Sequence, residues 1–140
     1  MTAQKERLFA DIEFLCNIRP YRNYRNLNSL RIASEYIKNQ LELLGFKTIP
    51  QKWQVDGHQY ENIIASYLPE KMKRLVIGAH YDVFGDQAGA DDNASGIAGL
   101  LESARMLMYH KPETDYGIDL VGYCLEVNYS PFLGPLLVFS

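Results

Sequence analysis

The stretch that most constrains the fold is Arg74-Leu75-Val76-Ile77-Gly78-Ala79-His80-Tyr81-Asp82. Its apolar centre predicts a strand buried on both faces, as in sheets covered by helices. A loop rich in Gly and Asp runs on to Asp92. A helix over about 93–109 follows, in which Ile97, Leu100, Ala104, Leu107 and Met108 form one apolar stripe. Residues 117–125 then read as another largely apolar strand, ending at Glu126. Strand, helix and strand in this order imply a parallel pair joined by a right-handed crossover. The class is α/β.

Upstream, periodicity predicts a helix from about Ala3 to Asn17, with Leu8, Ile12 and Leu15 on one face, interrupted by Pro20. Residues 19–25 are basic and aromatic. The plain reading is a linker whose Tyr rings pack and whose Arg groups meet nearby acids. A second helix carries Leu30, Ala33, Ile37, Leu41 and Leu44 at helical spacing. Asn26 or Asn28 can cap its start, and Gly45 ends it. Residues 47–55 and 59–67 read as two strands joined at Asp56-Gly57, a hairpin signal. The expected architecture is a mixed, mainly parallel sheet flanked by helices, with the hairpin on its antiparallel side. His58 reads as an exposed turn histidine, and His110 as a helix C-terminal residue favoured by the dipole.

Composition matters here for what it excludes. With 47% hydrophobic and 22% charged residues, the balance is that of a globular domain. A net charge of -3 offers little to a phosphate backbone, so no nucleic-acid partner is expected. No apolar run approaches the ~18 residues of a membrane helix. Residues 1–9 include Lys5 and Glu6 and lack the apolar core of a signal peptide. A cytoplasmic chain with no membrane partner is expected, its oligomeric state open. Cys16 and Cys124 sit among apolar neighbours and read as buried thiols rather than a metal or redox pair.

Four polar residues fall where parallel sheets build sites, outside the carboxyl ends of strands. His80 ends one predicted strand and Glu126 the next, and Asp92 lies where the loop enters the helix. Imidazole and carboxylate are ordinary zinc ligands. Strand alternation puts His80 and Asp82 on one side, so Asp82 could accept a bond from one ring nitrogen and leave the other for metal. Asp92 could bridge two ions, and Glu126 could act as general base on a metal-bound water. Each has a plainer reading: Asp91 or Asp92 as a helix cap, preferred for Asp91; Asp82 as a turn former; His80 as a buried histidine. Gly96 and Gly99 are expected to let the helix approach the sheet closely.

The runs Gly78-Ala79-His80-Tyr81-Asp82 and Gly89-Ala90-Asp91-Asp92-Asn93-Ala94-Ser95-Gly96 resemble those of the co-catalytic zinc aminopeptidase family. That family includes bacterial leucyl aminopeptidase, aminopeptidase Y, glutamate carboxypeptidase and the related glutaminyl cyclases. The resemblance implies a zinc-exopeptidase-like fold and two zinc ions. His80 would be a ligand of one ion, Asp92 a bridge between both, Asp82 the residue that orients His80, and Glu126 the catalytic base. The implied reaction is hydrolysis of an N-terminal peptide bond, with a peptide as substrate.

The sequence also departs from that family. The second member of its Glu-Glu pair, a zinc ligand, is replaced here by Val127. After Glu126 there is no Asp, Glu or His. Of five family ligands, His80 and Asp92 are present, so at most weak or partial zinc binding is expected. Residues 1–126 are read as the N-terminal part of a zinc-peptidase-like domain, and residues 127–140 as an apolar tail foreign to the family. Truncation or a frame shift just after Glu126 is the expectation, a genuine short protein without catalysis the alternative. The strand over 117–125 is expected to be left with an uncovered edge and face. An inactive peptidase-family chain is expected. Its rivals are a non-catalytic binding module and a single-zinc transferase of the glutaminyl-cyclase type.

Overall fold

Asp56 and Gly57 decide the first turn of the sheet. Both adopt positive φ, 50° and 78°, the backbone a two-residue type I′ hairpin requires. They join β1 (Thr48–Val55) to β2 (His58–Tyr67) in antiparallel register, from Val55↔His58 to Thr48↔Ala65. This is a computed structural model, and it describes residues 1–125. Glu126, Val127 and the apolar tail lie outside the described residues, and so does the expected boundary after Glu126.

β3 (Arg74–His80) and β4 (Gly117–Tyr123) pair in parallel, from Arg74↔Gly117 to His80↔Tyr123. β4 also pairs with β2, antiparallel, and the strand order is β1-β2-β4-β3. The sheet is mixed, with helices packed against it. Its parallel part among the described residues is the β3–β4 pair, and the hairpin lies on the antiparallel side. Two expectations change. Among the described residues the edges of the sheet are β1 and β3, because β4 is held between β2 and β3. Nor is β3 buried on both faces: Leu75 and Val76 are 46% and 53% exposed, and burial begins only at Ala79 and His80.

α1 (Lys5–Cys16), α2 (Leu27–Leu43) and α3 (Ser95–His110) supply the helical layer. On α2, Leu30, Ala33, Ile37 and Leu41 are buried, as their spacing predicts. The helix ends in a Schellman arrangement: Gly45 takes φ 97°, and Phe46 N bonds Leu41 O at 3.2 Å. Ile37, Leu41, Ile63, Ile97, Leu101 and Leu120 are fully buried at the centre of the core. Each such side chain contributes about 1.5–3 kcal/mol. Cys124 is buried, which pushes its thiol pKa up, but Cys16 is only partly so, and both are free. His58 is exposed as expected. His110 ends α3 and bonds the Met1 carbonyl at 2.8 Å. No helix among the described residues is long and apolar enough to cross a membrane.

α1 meets α3 through charge as well as apolar surface. Glu102, 3% exposed, accepts bonds from Arg7 Nε and Gln4 N at 2.9 Å and from Arg105 Nη1 at 3.2 Å. The Arg7 guanidinium holds its carboxyl far below the usual range, at about 2. Asp11 accepts from Arg105 at 2.7 Å and from the Tyr36 hydroxyl at 2.6 Å.

Candidate metal centre

β3 delivers His80 at its carboxyl end, buried to 7% exposure. The loop 81–89 then carries the chain to an irregular turn, Ala90–Ala94, in which Asp92 (φ -123°, ψ 86°) and Asn93 (φ -141°, ψ 42°) depart from helical geometry. That departure turns the Asp92 carboxylate back toward the sheet. Its Oδ1 lies 3.0 Å from His80 Nε2.

The other ring nitrogen, Nδ1, lies 3.1 Å from the backbone carbonyl of Asp82. β3 ends at His80, so Asp82 no longer follows strand alternation. Its carbonyl, rather than its carboxylate, is at bonding distance from the ring. The Asp82 side chain is fully buried. Oδ1 sits 3.4 Å from Nδ1, yet neither oxygen has a hydrogen-bond partner among the described residues.

The bonding around His80 tests whether a cation fits. A carbonyl only accepts, so Nδ1 must carry a proton there. A neutral imidazole has a single N–H, which leaves a lone pair on Nε2 facing the Asp92 carboxylate. Lone pair and carboxylate repel unless a positive centre lies between them, either a second proton or a metal ion. The 3.0 Å separation is that of an ordinary hydrogen bond, and an imidazole nitrogen beside a carboxylate oxygen is a donor pair that zinc takes. The donor chemistry therefore fits zinc. The number of donors is short of the three that a catalytic zinc normally takes: no group of three or more His, Cys, Asp or Glu converges among the described residues.

The start of α3 differs from expectation. Asp91 is exposed and its side chain does not cap the helix. The cap bond comes from Asn93, whose Oδ1 accepts from Gly96 N at 3.0 Å. A β-carbon at Gly96 would come 2.1 Å from that oxygen, and one at Gly99 would meet nothing within 4 Å. Gly96 therefore makes room for the cap rather than for the sheet, and Gly99 does neither.

Two buried polar residues near the site were missed. Arg22 and Asn23, 2% and 1% exposed, come from the basic, aromatic linker between α1 and α2. Arg22 meets backbone carbonyls there, not acids: Nε donates to Tyr81 O at 2.8 Å and Nη1 to Ala88 O at 3.0 Å. Arg19 instead stacks over the Tyr21 ring, 4.4 Å from its centroid.

Comparison with known proteins follows the same lines. Residues 62–129 match Peptidase family M28. The chain is 39% identical over 132 residues to the uncharacterized protein YfbL of Escherichia coli K12, covering 89% of this chain and 40% of that one. A glutaminyl cyclase of Bacteroides thetaiotaomicron, bound to N-acetylhistamine, superposes with TM-score 0.76 at 26% identity, over 96% of this chain and 51% of its own. A leucine aminopeptidase precursor of the same species gives 0.73 at 27%, over 90% and 48%. The chain thus spans about half or less of the length of each.

Proposed function

We propose that the chain, whose residues 62–129 match Peptidase family M28, is a member of that family and carries part of a zinc aminopeptidase site, with His80 and Asp92 as the zinc ligands it supplies. The observation that supports this most is the 3.0 Å approach of His80 Nε2 to Asp92 Oδ1, with Nδ1 tied to a carbonyl. Bound zinc would polarise a scissile carbonyl and lower the pKa of a water to about 7. The protein's own share is positional. The Asp82 carbonyl fixes the ring orientation and tautomer of His80. The buried Asp82 carboxylate adds negative charge behind the ring, which favours a cation in front. Glu126, three positions beyond β4, would take the proton from the attacking water.

With Val127 where the family has a glutamate, His80 and Asp92 are two of the three ligands that a catalytic zinc normally takes. The chain alone is therefore expected to bind zinc weakly and to lack peptidase activity. Calorimetric zinc titration of the purified chain should show binding that His80→Ala and Asp92→Ala each weaken at least tenfold. Equal binding by all three would sink the zinc assignment. Cleavage of an aminoacyl anilide by the chain, abolished in His80→Ala, would overturn its inactivity.

The superposition on a glutaminyl cyclase supports a second reading, a transferase that cyclises N-terminal glutamine at one zinc. It too needs a carboxylate where Val127 stands. Release of ammonia from a glutaminyl peptide, without cleavage of the anilide, would favour it.

A further inference from the structure

His80 and Asp92 are joined by a loop with neither strand nor helix over residues 81–89. Gly85 and Gly89 there take positive φ, 64° and 66°. Such a segment would ordinarily leave its backbone groups to water and its ends free to drift. Here several of those groups are bonded by Arg22 and Asn23, from another part of the chain. The Arg22 guanidinium donates to Tyr81 O at 2.8 Å, to Ala88 O at 3.0 Å and to Leu15 O. The Arg22 carbonyl accepts from Val83 N at 2.8 Å. Asn23 Nδ2 donates to Gly85 O at 2.9 Å and to Asp86 Oδ1 at 3.2 Å.

Tyr81 adjoins His80, and Ala88 lies four positions before Asp92. One planar guanidinium thus holds both ends of the loop, and its rigid fork sets how far apart they sit. Asn23 pins the middle. A β-carbon at Gly89 would come 2.3 Å from Val83 Cγ1 and 3.2 Å from Arg22 Nη2, so the glycine leaves the guanidinium its place.

We propose that Arg22 and Asn23 are positioning residues that set the spacing of His80 and Asp92 through the 81–89 loop, and thereby the affinity for zinc. The proposal rests on the zinc reading above. Its bland counterpart is a buried arginine that only stabilises the linker between α1 and α2. A stabilising role alone would lower the unfolding temperature and leave the affinity of the folded protein unchanged.

The test is zinc titration by calorimetry on the wild-type chain, Arg22→Lys, Asn23→Ala and His80→Ala, with the ring ¹⁵N shifts of His80 followed in the first three. Circular dichroism confirms that each is folded. Arg22→Lys keeps the charge and loses the fork, and should weaken zinc binding tenfold or more. Asn23→Ala should weaken it about threefold to tenfold, and decides alone if Arg22→Lys does not fold. Affinities within twofold of wild type in every folded Arg22 and Asn23 variant, with His80→Ala weakened, overturn this proposal and leave the zinc reading standing. A wild type that binds no better than His80→Ala overturns both.

Discussion

Two places in this molecule bury carboxylates, and they treat them in opposite ways. At the α1–α3 contact, Glu102 receives bonds from Arg7, Arg105 and the Gln4 amide, and Asp11 from Arg105 and Tyr36. At the carboxyl end of β3, Asp82 is fully buried and neither oxygen accepts a hydrogen bond among the described residues. A buried charge without donors costs several kcal/mol unless it is compensated. The first region is finished on its own terms. The second holds unspent acceptor capacity beside a histidine whose nitrogens both face acceptors. The contrast teaches where to look for a bound cation: at the carboxylates the fold leaves incomplete, not at those it has paired.

The sharpest way to break that comparison is Glu102→Ala. It leaves the partly exposed Arg7 guanidinium without its carboxylate, while Arg105 keeps Asp11, and should cost about 1–3 kcal/mol in urea unfolding, with zinc affinity unchanged. A loss under about 1 kcal/mol would mean the α1–α3 charges are not the structural pairing they resemble. Acid probes the same group without mutation. Its carboxyl is depressed from the ordinary 4.5 to about 2. The stability it contributes is therefore full above pH 4.5 and is lost as pH falls toward 2. Urea midpoints measured between those limits should fall less steeply in Glu102→Gln than in the wild type.

Asp82→Asn tests the other side. It removes a buried carboxylate that accepts no hydrogen bond among the described residues but lies in the field of the Arg22 guanidinium, so the metal-free chain should shift by less than about 1 kcal/mol while zinc binding weakens. A loss of several kcal/mol would show that Asp82 is paired as fully as Glu102. The smallest effect belongs to Gly96→Ala. The better helix former is offset by loss of the Asn93 cap, for a net cost of about 0.5 kcal/mol in thermal unfolding.

The sequence made some of this legible and hid the rest for physical reasons. The Asp56-Gly57 hairpin, the α2 stripe and the parallel β3–β4 pair follow from local periodicity and turn chemistry. The exposure of β3 does not, because an apolar run reads the same at an edge as in the middle of a sheet. His80 and Asp92 stood out by residue type and by their place relative to a strand end and a helix start. The cap falls to Asn93 rather than to Asp91 or Asp92, since all three residues are of types that cap and only the kinked backbone distinguishes them. Arg22 left no trace beyond a basic linker, since its partners are backbone carbonyls, which every sequence contains.

β3 stands at the edge of the sheet among the described residues, and β4 fixes its direction. An edge of that kind has a polarity. Any strand that hydrogen-bonds along it in parallel ends where β3 ends, with its last residues abreast of His80. One that joins antiparallel begins there and runs away from the site. The orientation of a neighbour therefore dictates which of its two ends can meet these ligands, whatever its sequence.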